Sequence, residues 1–211
     1  MGKIFCLMGK SASGKDTVYN RLLARKDLRL KRVVLYTTRP IREGEEKGST
    51  YFFCSDAQAD QMEADGRVIE MRAYHTVHGI WRYFTADDGQ IDLSGGDDYL
   101  MIGTLETYTK LCAYFGEEAV RPVYIYTEDG LRLARALARE RAQAEPKYAE
   151  LCRRYLADEE DFSPENLAAA GISRRFENTD LDRTVDEAAA YIRELSSGGN
   201  PQNAVFGHYR T

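Results

Sequence analysis

The feature that most constrains this 211-residue chain is a glycine-rich loop between an apolar run and a helical pattern. The run Ile4–Met8 predicts a buried strand, and residues 16–26 carry apolar side chains at helical spacing. Residues 9–17 between them read Gly-Lys-Ser-Ala-Ser-Gly-Lys-Asp-Thr, in which G-x-x-x-x-G-K has the spacing and the context of a P-loop. Such a loop surrounds a phosphate with backbone N–H groups at the positive end of a helix dipole. The segment therefore predicts a nucleotide-binding α/β fold.

The residues of this loop are candidates for binding ATP. Lys15 is also the first catalytic candidate, because its ammonium group supplies a point charge for the β and γ phosphates. The next position, normally a Ser or Thr on the magnesium ion, is Asp16, and a hydroxyl follows one residue later in Thr17. We expect either of these two residues to approach Mg²⁺. The ATP-binding candidates in the loop are Gly9, Lys10, Ser11, Ala12, Ser13, Gly14, Lys15, Asp16 and Thr17.

Short apolar runs alternate with helical patterns at both ends of the chain. A middle segment, residues 37–98, combines a helix with short alternating runs and reads as a separate insert. The expected fold is a doubly wound parallel sheet of the P-loop NTPase type, with a small mixed α/β insert and a helical lid. Further strands are predicted at residues 32–36, 51–54, 68–71, 81–85, 99–102, 123–126 and 172–176, and helices at 55–65, 105–115, 128–142, 146–161 and 181–195.

The charge of the chain is uneven. The formal net charge is −5, but residues 1–50 carry 12 basic and 5 acidic side chains. An acidic protein with a locally basic cleft predicts small phosphorylated ligands rather than a nucleic acid polymer. No run approaches the roughly 18–20 apolar residues of a membrane span, and the N-terminal run is shorter than the roughly 7–15 residues of a signal peptide. We therefore expect a cytoplasmic protein without a membrane partner; the oligomeric state stays open.

A second motif follows the loop. Residues 37–53 read Thr-Thr-Arg-Pro-Ile-Arg-Glu-Gly-Glu-Glu-Lys-Gly-Ser-Thr-Tyr-Phe-Phe. Two arginines three residues apart and a tyrosine hydroxyl suit the dianionic phosphate of an acceptor. The segment resembles the guanylate kinase signature T-T-R-x-x-R-x-G-E-x-x-G-x-x-Y-x-F without a gap. The resemblance implies that Arg39, Arg42 and Tyr51 hold the acceptor phosphate, with Arg39 also a catalytic residue.

Other acceptor motifs of this family are matched only in part. Residues 66–70 resemble its G-x-F-I-E, which implies that Glu70 accepts hydrogen bonds from guanine. Gly79 matches the glycine of N-x-Y-G-[ST], but the base-reading Ser/Thr falls on Ile80. The second aspartate of L-D-I-D-x-Q-G falls on Thr104. The phosphate-binding motif is thus intact, whereas the base-reading motifs differ from the family's pattern. The acceptor-binding candidates are Arg39, Arg42, Tyr51, Glu70, Gly79 and Thr104.

Arginines recur in the predicted lid. Arg135 and Arg139 resemble the start of the family's lid, R-L-x-x-R, and Arg154 falls in its later R-L-x-x-A element. Guanidinium groups that close over a transferring phosphoryl group stabilise its charge, so these three are catalytic candidates. A salt-bridged surface helix is the alternative, because glutamates lie nearby. Residues 176–181 resemble the family's V-x-N-x-D-L loop, which places Asn178 beside the adenine of ATP.

The resemblance spans about residues 3–195. It implies a core of residues 1–36 and 99–196 with a lid at about 130–160, and a monophosphate-binding insert at 37–98. The tail at 197–211 has no clear periodicity, so we expect it to be mobile. It implies transfer of the γ-phosphoryl group of MgATP to GMP, giving GDP and ADP. Two alternatives stay open: a kinase of the same fold for another nucleoside monophosphate or a ribose bisphosphate, and a guanylate-kinase-like binding module without activity.

Overall fold

The computed structural model describes residues 1–42, 44–76 and 79–196, so the predicted mobile tail at 197–211 lies outside the described residues. The strands are β1 Ile4–Met8, β2 Lys31–Arg32, β3 Tyr36–Thr37, β4 Phe52–Phe53, β5 Val68–Thr76, β6 Gly79–Ala86, β7 Tyr99–Ile102, β8 Val120–Tyr126 and β9 Phe176–Glu177. The helices are α1 Lys15–Leu23, α2 Asp56–Ala64, α3 Leu105–Phe115, α4 Asp129–Arg141, α5 Tyr148–Asp161, α6 Pro164–Ala169 and α7 Leu181–Ser196. No helix within these ranges is long and apolar enough to cross a membrane.

The larger sheet has the strand order β2-β7-β1-β8-β9, and its strands pair in parallel. β1 is fully buried, and its side chains alternate between two cores. Phe5 and Leu7 pack with α1 and α7, whereas Ile4, Cys6 and Met8 pack with α3. The predicted doubly wound α/β fold is therefore confirmed. The order of strands reverses at β1, and ligands of such sheets bind beyond the carboxyl end of that strand.

The smaller sheet has the order β4-β3-β6-β5 and pairs β5 with β6 antiparallel. One of its faces packs against α2 through Ala59, Phe84 and Ala86. The capping box of Ser55 and Gln58 fixes where α2 begins. The opposite face carries mostly polar and aromatic side chains and forms the acceptor face described below. Its assignment as a separate domain stays a prediction.

Two predicted strands are wrong. The apolar run at residues 32–36 does not form one strand, because the chain leaves the larger sheet after Arg32 and enters the smaller one at Tyr36. The side chain of Gln90 replaces a neighbouring strand there, since its Oε1 accepts from the Val34 N–H at 2.9 Å. The run at 172–176 contributes only Phe176 to β9, because Ile172 packs into the core instead.

Helix boundaries differ less. α1 ends at Leu23 rather than at residue 26, and α5 begins at Tyr148 rather than at 146. The short helix α6, with Ser163 as its N-cap, was not predicted. By contrast, α3 covers the predicted residues 105–115.

Candidate active site

The glycine-rich loop joins β1 to α1 in a conformation suited to an anion. Gly14 has φ 83° and Ala12 φ 62°, so two residues of the loop lie in the left-handed region. Gly14 is the N-cap of α1 and, as a glycine, offers no side-chain hydrogen bond to the first amides of the helix. The Ser13 hydroxyl is buried and has no hydrogen-bond partner in the described part of the chain. Backbone N–H groups, helix end and hydroxyl together fit a phosphate group.

Two other segments hold this loop in place. The Ser13 carbonyl accepts from Thr127 Oγ1 at 3.0 Å and from Asn178 Nδ2 at 2.8 Å. A Cβ atom at Gly14 would lie 2.3 Å from Asn178 Nδ2, so glycine is required by contact as well as by φ. Asn178, predicted to lie beside adenine, is thus brought to the loop. Thr127, which the motifs did not predict, also holds the loop by donating to the Ser13 carbonyl.

Lys15 and Asp16 lie at the mouth of the loop. Lys15 Nζ is 3.4 Å from Asp16 Oδ2, and Asp16 and Thr17 are both exposed. Among the described residues, no three His, Cys, Asp or Glu side chains converge as a metal site. The residues present fit a magnesium ion held mainly by a nucleotide's phosphates, with one carboxylate or hydroxyl added by the protein.

The predicted lid arginines approach the loop from α4 and α5. Arg135 donates from Nη2 to the Asn178 carbonyl at 3.2 Å and from Nη1 to Thr127 Oγ1 at 3.4 Å. Arg139 and Arg154 line a small pocket together with Ser11 of the loop. The structure therefore brings all three arginines to the edge of the loop, Arg135 on the Asn178 side and the other two on the Ser11 side.

A buried ionic network ties the lid to the loop, and the sequence did not predict it. Lys10 Nζ lies 2.7 Å from Glu159 and 3.5 Å from Asp129, so its side chain turns from the loop toward the lid. Arg132, 1% exposed, forms ion pairs with Asp129, Asp158 and Glu159. Asp158 also accepts from the Ser11 N–H at 2.8 Å. Arg132 is therefore a structural residue, although it lies on the same helix as Arg135 and Arg139.

We expect Arg132→Met to lower the free energy of unfolding by about 2–3 kcal/mol, because it leaves the largely buried Asp158 without its cation, whereas Asp129 and Glu159 are partly exposed and keep Lys10 as a partner. Urea unfolding followed by circular dichroism measures this change. Arg153→Met is the matched control on α5: Arg153 is 64% exposed and pairs with Glu150, so a change within about 0.5 kcal/mol is expected. A loss below about 1 kcal/mol for Arg132→Met would contradict the structural role.

The acceptor face of the smaller sheet collects the predicted phosphate residues. The register pairs Glu70 with Thr85, Arg72 with Tyr83, and Tyr83 with Thr37, so these side chains share one face. Tyr51 joins this face, and its ring lies 5.7 Å from that of Tyr83. Burial raises the pKa of Tyr51 above its usual value, against the opposing effect of Arg39 and Arg72. Tyr51 thus lies within the field of two cations.

Arg39 is enclosed on this face. It is 4% exposed and pairs with Glu45 through two hydrogen bonds, of 2.7 and 2.5 Å. Nε donates to the Tyr83 hydroxyl at 3.1 Å, and the guanidinium lies 5.2 Å from the centre of the Tyr51 ring. The hydrogen bond from Arg39 lowers the pKa of Glu45 to about 2, so the pair stays ionised at neutral pH. Glu45 therefore fixes the direction of Arg39. Arg42, by contrast, is exposed, with its guanidinium 5.9 Å from the Trp81 ring.

Glu70 lies on the same face but is fully covered. Its Oε2 accepts from Arg72 Nε at 3.1 Å and its Oε1 from Thr85 Oγ1 at 2.9 Å. Burial raises the pKa of the Cys6 thiol, and the charge of Glu70 raises it further. Ile69, its neighbour on β5, packs against the core that contains Cys6 and Met8 of β1, the strand that leads into the loop. Sequence reasoning missed Arg72, although its place two residues after Glu70 on a strand was a usable signal.

The remaining acceptor candidates have other surroundings. Thr104 is the N-cap of α3, and its hydroxyl accepts from the Thr107 N–H at 3.2 Å. Gly79 has φ 107°, with open space where a Cβ atom would lie. Ile80 is half exposed at the start of β6. His78, on which the family's tyrosine falls, lies outside the described residues.

Comparison with known proteins agrees with this geometry. Residues 1–79 match the family model described as guanylate kinase. A guanylate kinase of Mesoplasma florum is 41% identical over 69 residues, which are 33% of this chain and 23% of that protein. A guanylate kinase of Bacillus subtilis is 36% identical over 73 residues, or 35% and 36% of the two chains. One of Neisseria gonorrhoeae is 38% identical over 88 residues, or 42% and 40%.

The similarity in structure reaches further than the similarity in sequence. The crystal structure of guanylate kinase from Anaplasma phagocytophilum superposes with a TM-score of 0.61 and 21% identity, covering 92% of this chain and 86% of that one. The fold is therefore shared across most of the chain. The sequence match spans between about a quarter and two fifths of the curated relatives. The match to the family model, residues 1–79, includes the glycine-rich loop and the acceptor signature. The predicted resemblance to guanylate kinases is confirmed.

Proposed function

We propose that this chain is an ATP-dependent nucleoside monophosphate kinase that transfers the γ-phosphoryl group of MgATP to GMP, giving GDP and ADP. The observation that carries the proposal is the presence of two phosphate sites in one chain. The loop around Lys15 fits the phosphates of the donor, and Arg39, Arg42 and Tyr51 fit the phosphate of the acceptor. A binding module needs only the second of these sites.

In this proposal the chain acts mainly by positioning and by charge. Lys15 and the loop amides bind the donor phosphates, while Arg39 and Tyr51 orient the acceptor phosphate. Arg135, Arg139 and Arg154 supply positive charge to the group in transfer and help to exclude water. Magnesium, when bound with ATP, neutralises phosphate charge, and Asp16 or Thr17 is the protein group that would approach it. No general base is required, because the acceptor is already an anionic phosphate oxygen.

The proposal also covers the binding partners and the cellular location. The partners are small nucleotides rather than a nucleic acid polymer, and the place of action is the cytoplasm. The division into a core, a monophosphate-binding insert at residues 37–98 and a lid at about 130–160 is part of the proposal.

The test is a panel of phosphorylated acceptors assayed with MgATP. We expect ADP release with GMP and little with CMP, UMP or ribose 1,5-bisphosphate, because Arg39, Arg42 and Tyr51 suit a single phosphate and the resemblance assigns Glu70 to guanine. The control reactions contain each acceptor without ATP, or ATP without an acceptor. Turnover with the sugar bisphosphate and none with GMP would favour the alternative of a kinase of the same fold that acts on a ribose bisphosphate. Failure to bind ATP in calorimetry would favour the binding module.

A further inference from the structure

A cavity of about 310 Å³ lies on the side of the larger sheet that packs with α3, at the end of β8. Among the described residues, none of the acceptor candidates lines this cavity. Of the donor candidates only Lys10 does, and its side chain is turned toward the lid. Sites for small molecules usually have volumes of about 300–1,000 Å³. The cavity is therefore large enough for a small ligand and separate from both proposed phosphate sites.

Arg175 brings a positive charge to this cavity. β9 pairs in parallel with β8, and Phe176 lies opposite Ile125. Because side chains alternate along a strand, the residue before Phe176 falls on the same face as Tyr126. The Arg175 guanidinium lies over the Tyr126 ring, 4.1 Å from its centre. It forms no ion pair or hydrogen bond with any residue that the structure describes, so its N–H groups can bind an anion.

Tyr124 adds a hydrogen-bond donor to the same cavity. It is 4% exposed, and its ring stacks on that of Phe162 with 5.5 Å between the ring centres. Burial raises the pKa of Tyr124 to about 12, so the hydroxyl is protonated at neutral pH. Buried tyrosine hydroxyls usually have a hydrogen-bond partner, but this one has none within residues 1–42, 44–76 and 79–196. The hydroxyl is therefore available to a ligand.

The rest of the cavity wall decides what the anion must carry. Phe162, Leu167 and Ile172 line it, and two of these three side chains are buried. An inorganic anion would leave this apolar surface in contact with water, whereas an uncharged apolar ligand would cover the Tyr124 hydroxyl without satisfying it. A ligand that combines an anionic group with a flat apolar ring satisfies both parts of the wall.

We propose that this cavity binds a small aromatic anion, in which Arg175 and Tyr124 hold the anionic group and the ring packs against the apolar wall. The ligand class is a carboxylate or a phosphate ester on a single flat ring system. The site does not depend on the proposed kinase function, because neither the donor loop nor the acceptor arginines take part in it.

The experiment is a calorimetric titration of the full chain, without nucleotide, with 1-naphthoate, 1-naphthyl phosphate and the uncharged 1-naphthamide. We expect saturable one-to-one binding of at least one of the two anions with a Kd below about 1 mM, and binding of the amide at least about tenfold weaker. The anion that binds more tightly shows whether the natural ligand is a carboxylate or a phosphate ester.

Two substitutions locate the site. Arg175→Gln should weaken binding of the anion by about 10–10²-fold and change binding of the amide little, because a hydrogen-bonded charge is lost. Tyr124→Phe keeps the ring that stacks on Phe162 and should weaken binding of the anion by about tenfold. Circular dichroism of both variants should match that of the wild-type chain.

Two controls separate this cavity from other positive charges. Arg153→Gln removes an arginine of α5 that is 64% exposed and does not line the cavity, so the affinity for the anion should not change. Arg39→Ala should also bind the anion with the wild-type affinity, because Arg39 lies on the acceptor face of the smaller sheet.

Three results would overturn the proposal: no saturable binding of either anion, equal affinity for the anion and the amide, or an affinity that depends on Arg39 and not on Arg175. The last result would place the probe on the acceptor face. The outcome is distinguishable from that of the acceptor panel. A chain that binds the anion through Arg175 but releases no ADP refutes only the proposed function, and an active kinase that binds neither anion refutes only this site.

Discussion

Lys15→Ala is expected to lower kcat/KM for ATP by about 10³-fold at saturating GMP. The lysine follows a loop whose backbone conformation fits a phosphate, so the substitution removes the charge and leaves the backbone site intact. Losing one preorganised donor to a developing charge typically costs about 10²–10³-fold, and the cationic charge adds to this. A coupled assay of ADP release at varied ATP measures the effect.

The matched control is Lys26→Ala, an exposed lysine just beyond α1. Its kcat/KM should stay within about twofold of the wild-type value, since it removes the same charge away from the loop. Calorimetric titration with ATP should also show weaker binding for Lys15→Ala and unchanged binding for Lys26→Ala. Equal activity of the two variants would remove Lys15 from the donor site.

The parts of the fold that the sequence predicted are those set by local information. β1 and the loop follow from five apolar residues and the glycine spacing, and both are found as expected. α3 has its predicted bounds because Thr104 caps its first turn and Gly116 ends it. In such segments the neighbours that fix the conformation lie within a few residues along the chain.

Segments whose conformation depends on distant partners were not predictable. Val33 and Val34 look like the middle of a strand, but the chain passes from one sheet to the other there. The Val34 N–H donates to the side chain of Gln90, which is distant in sequence. Lys10 was expected among the phosphate ligands, yet its side chain meets Glu159, 149 residues away. Hydrophobic periodicity carries no record of which charged side chains will pair across the fold.

The candidate site divides in the same way. The signature at residues 37–53 correctly indicated that Arg39 and Tyr51 lie together, since the guanidinium lies over the tyrosine ring. It gave no sign that Glu45 encloses Arg39, because spacing alone does not show which side chain turns inward. Arg72 was overlooked because the motif ends at Glu70, although strand alternation places the two on one face. Motifs thus found the residues, and the structure supplies their partners.

Arg39→Ala is expected to raise the KM for GMP and to lower kcat, with a combined loss in kcat/KM of about 10²–10³-fold. Truncating one partner of a buried, hydrogen-bonded charge pair across a binding interface costs about 2–5 kcal/mol of binding free energy. Here the pair is Arg39 with the acceptor phosphate, and misalignment of that phosphate lowers the rate itself. Steady-state kinetics with varied GMP at saturating MgATP separates the two constants.

Glu45→Gln tests the orientation of Arg39 separately from its presence. The variant keeps Arg39 but removes the charge of the carboxylate that orients its guanidinium. Glu45 has a pKa lowered to about 2, so above pH 4 it is ionised and the pair is complete; the pair is lost only as the pH falls through about 2. We therefore expect Glu45→Gln at neutral pH to raise the KM for GMP about tenfold and to change kcat less than threefold. Arg67→Ala, an exposed arginine at the far end of the same sheet, should leave both constants unchanged.

An Arg39→Ala enzyme with the wild-type kcat/KM for GMP would place the acceptor phosphate elsewhere on this face.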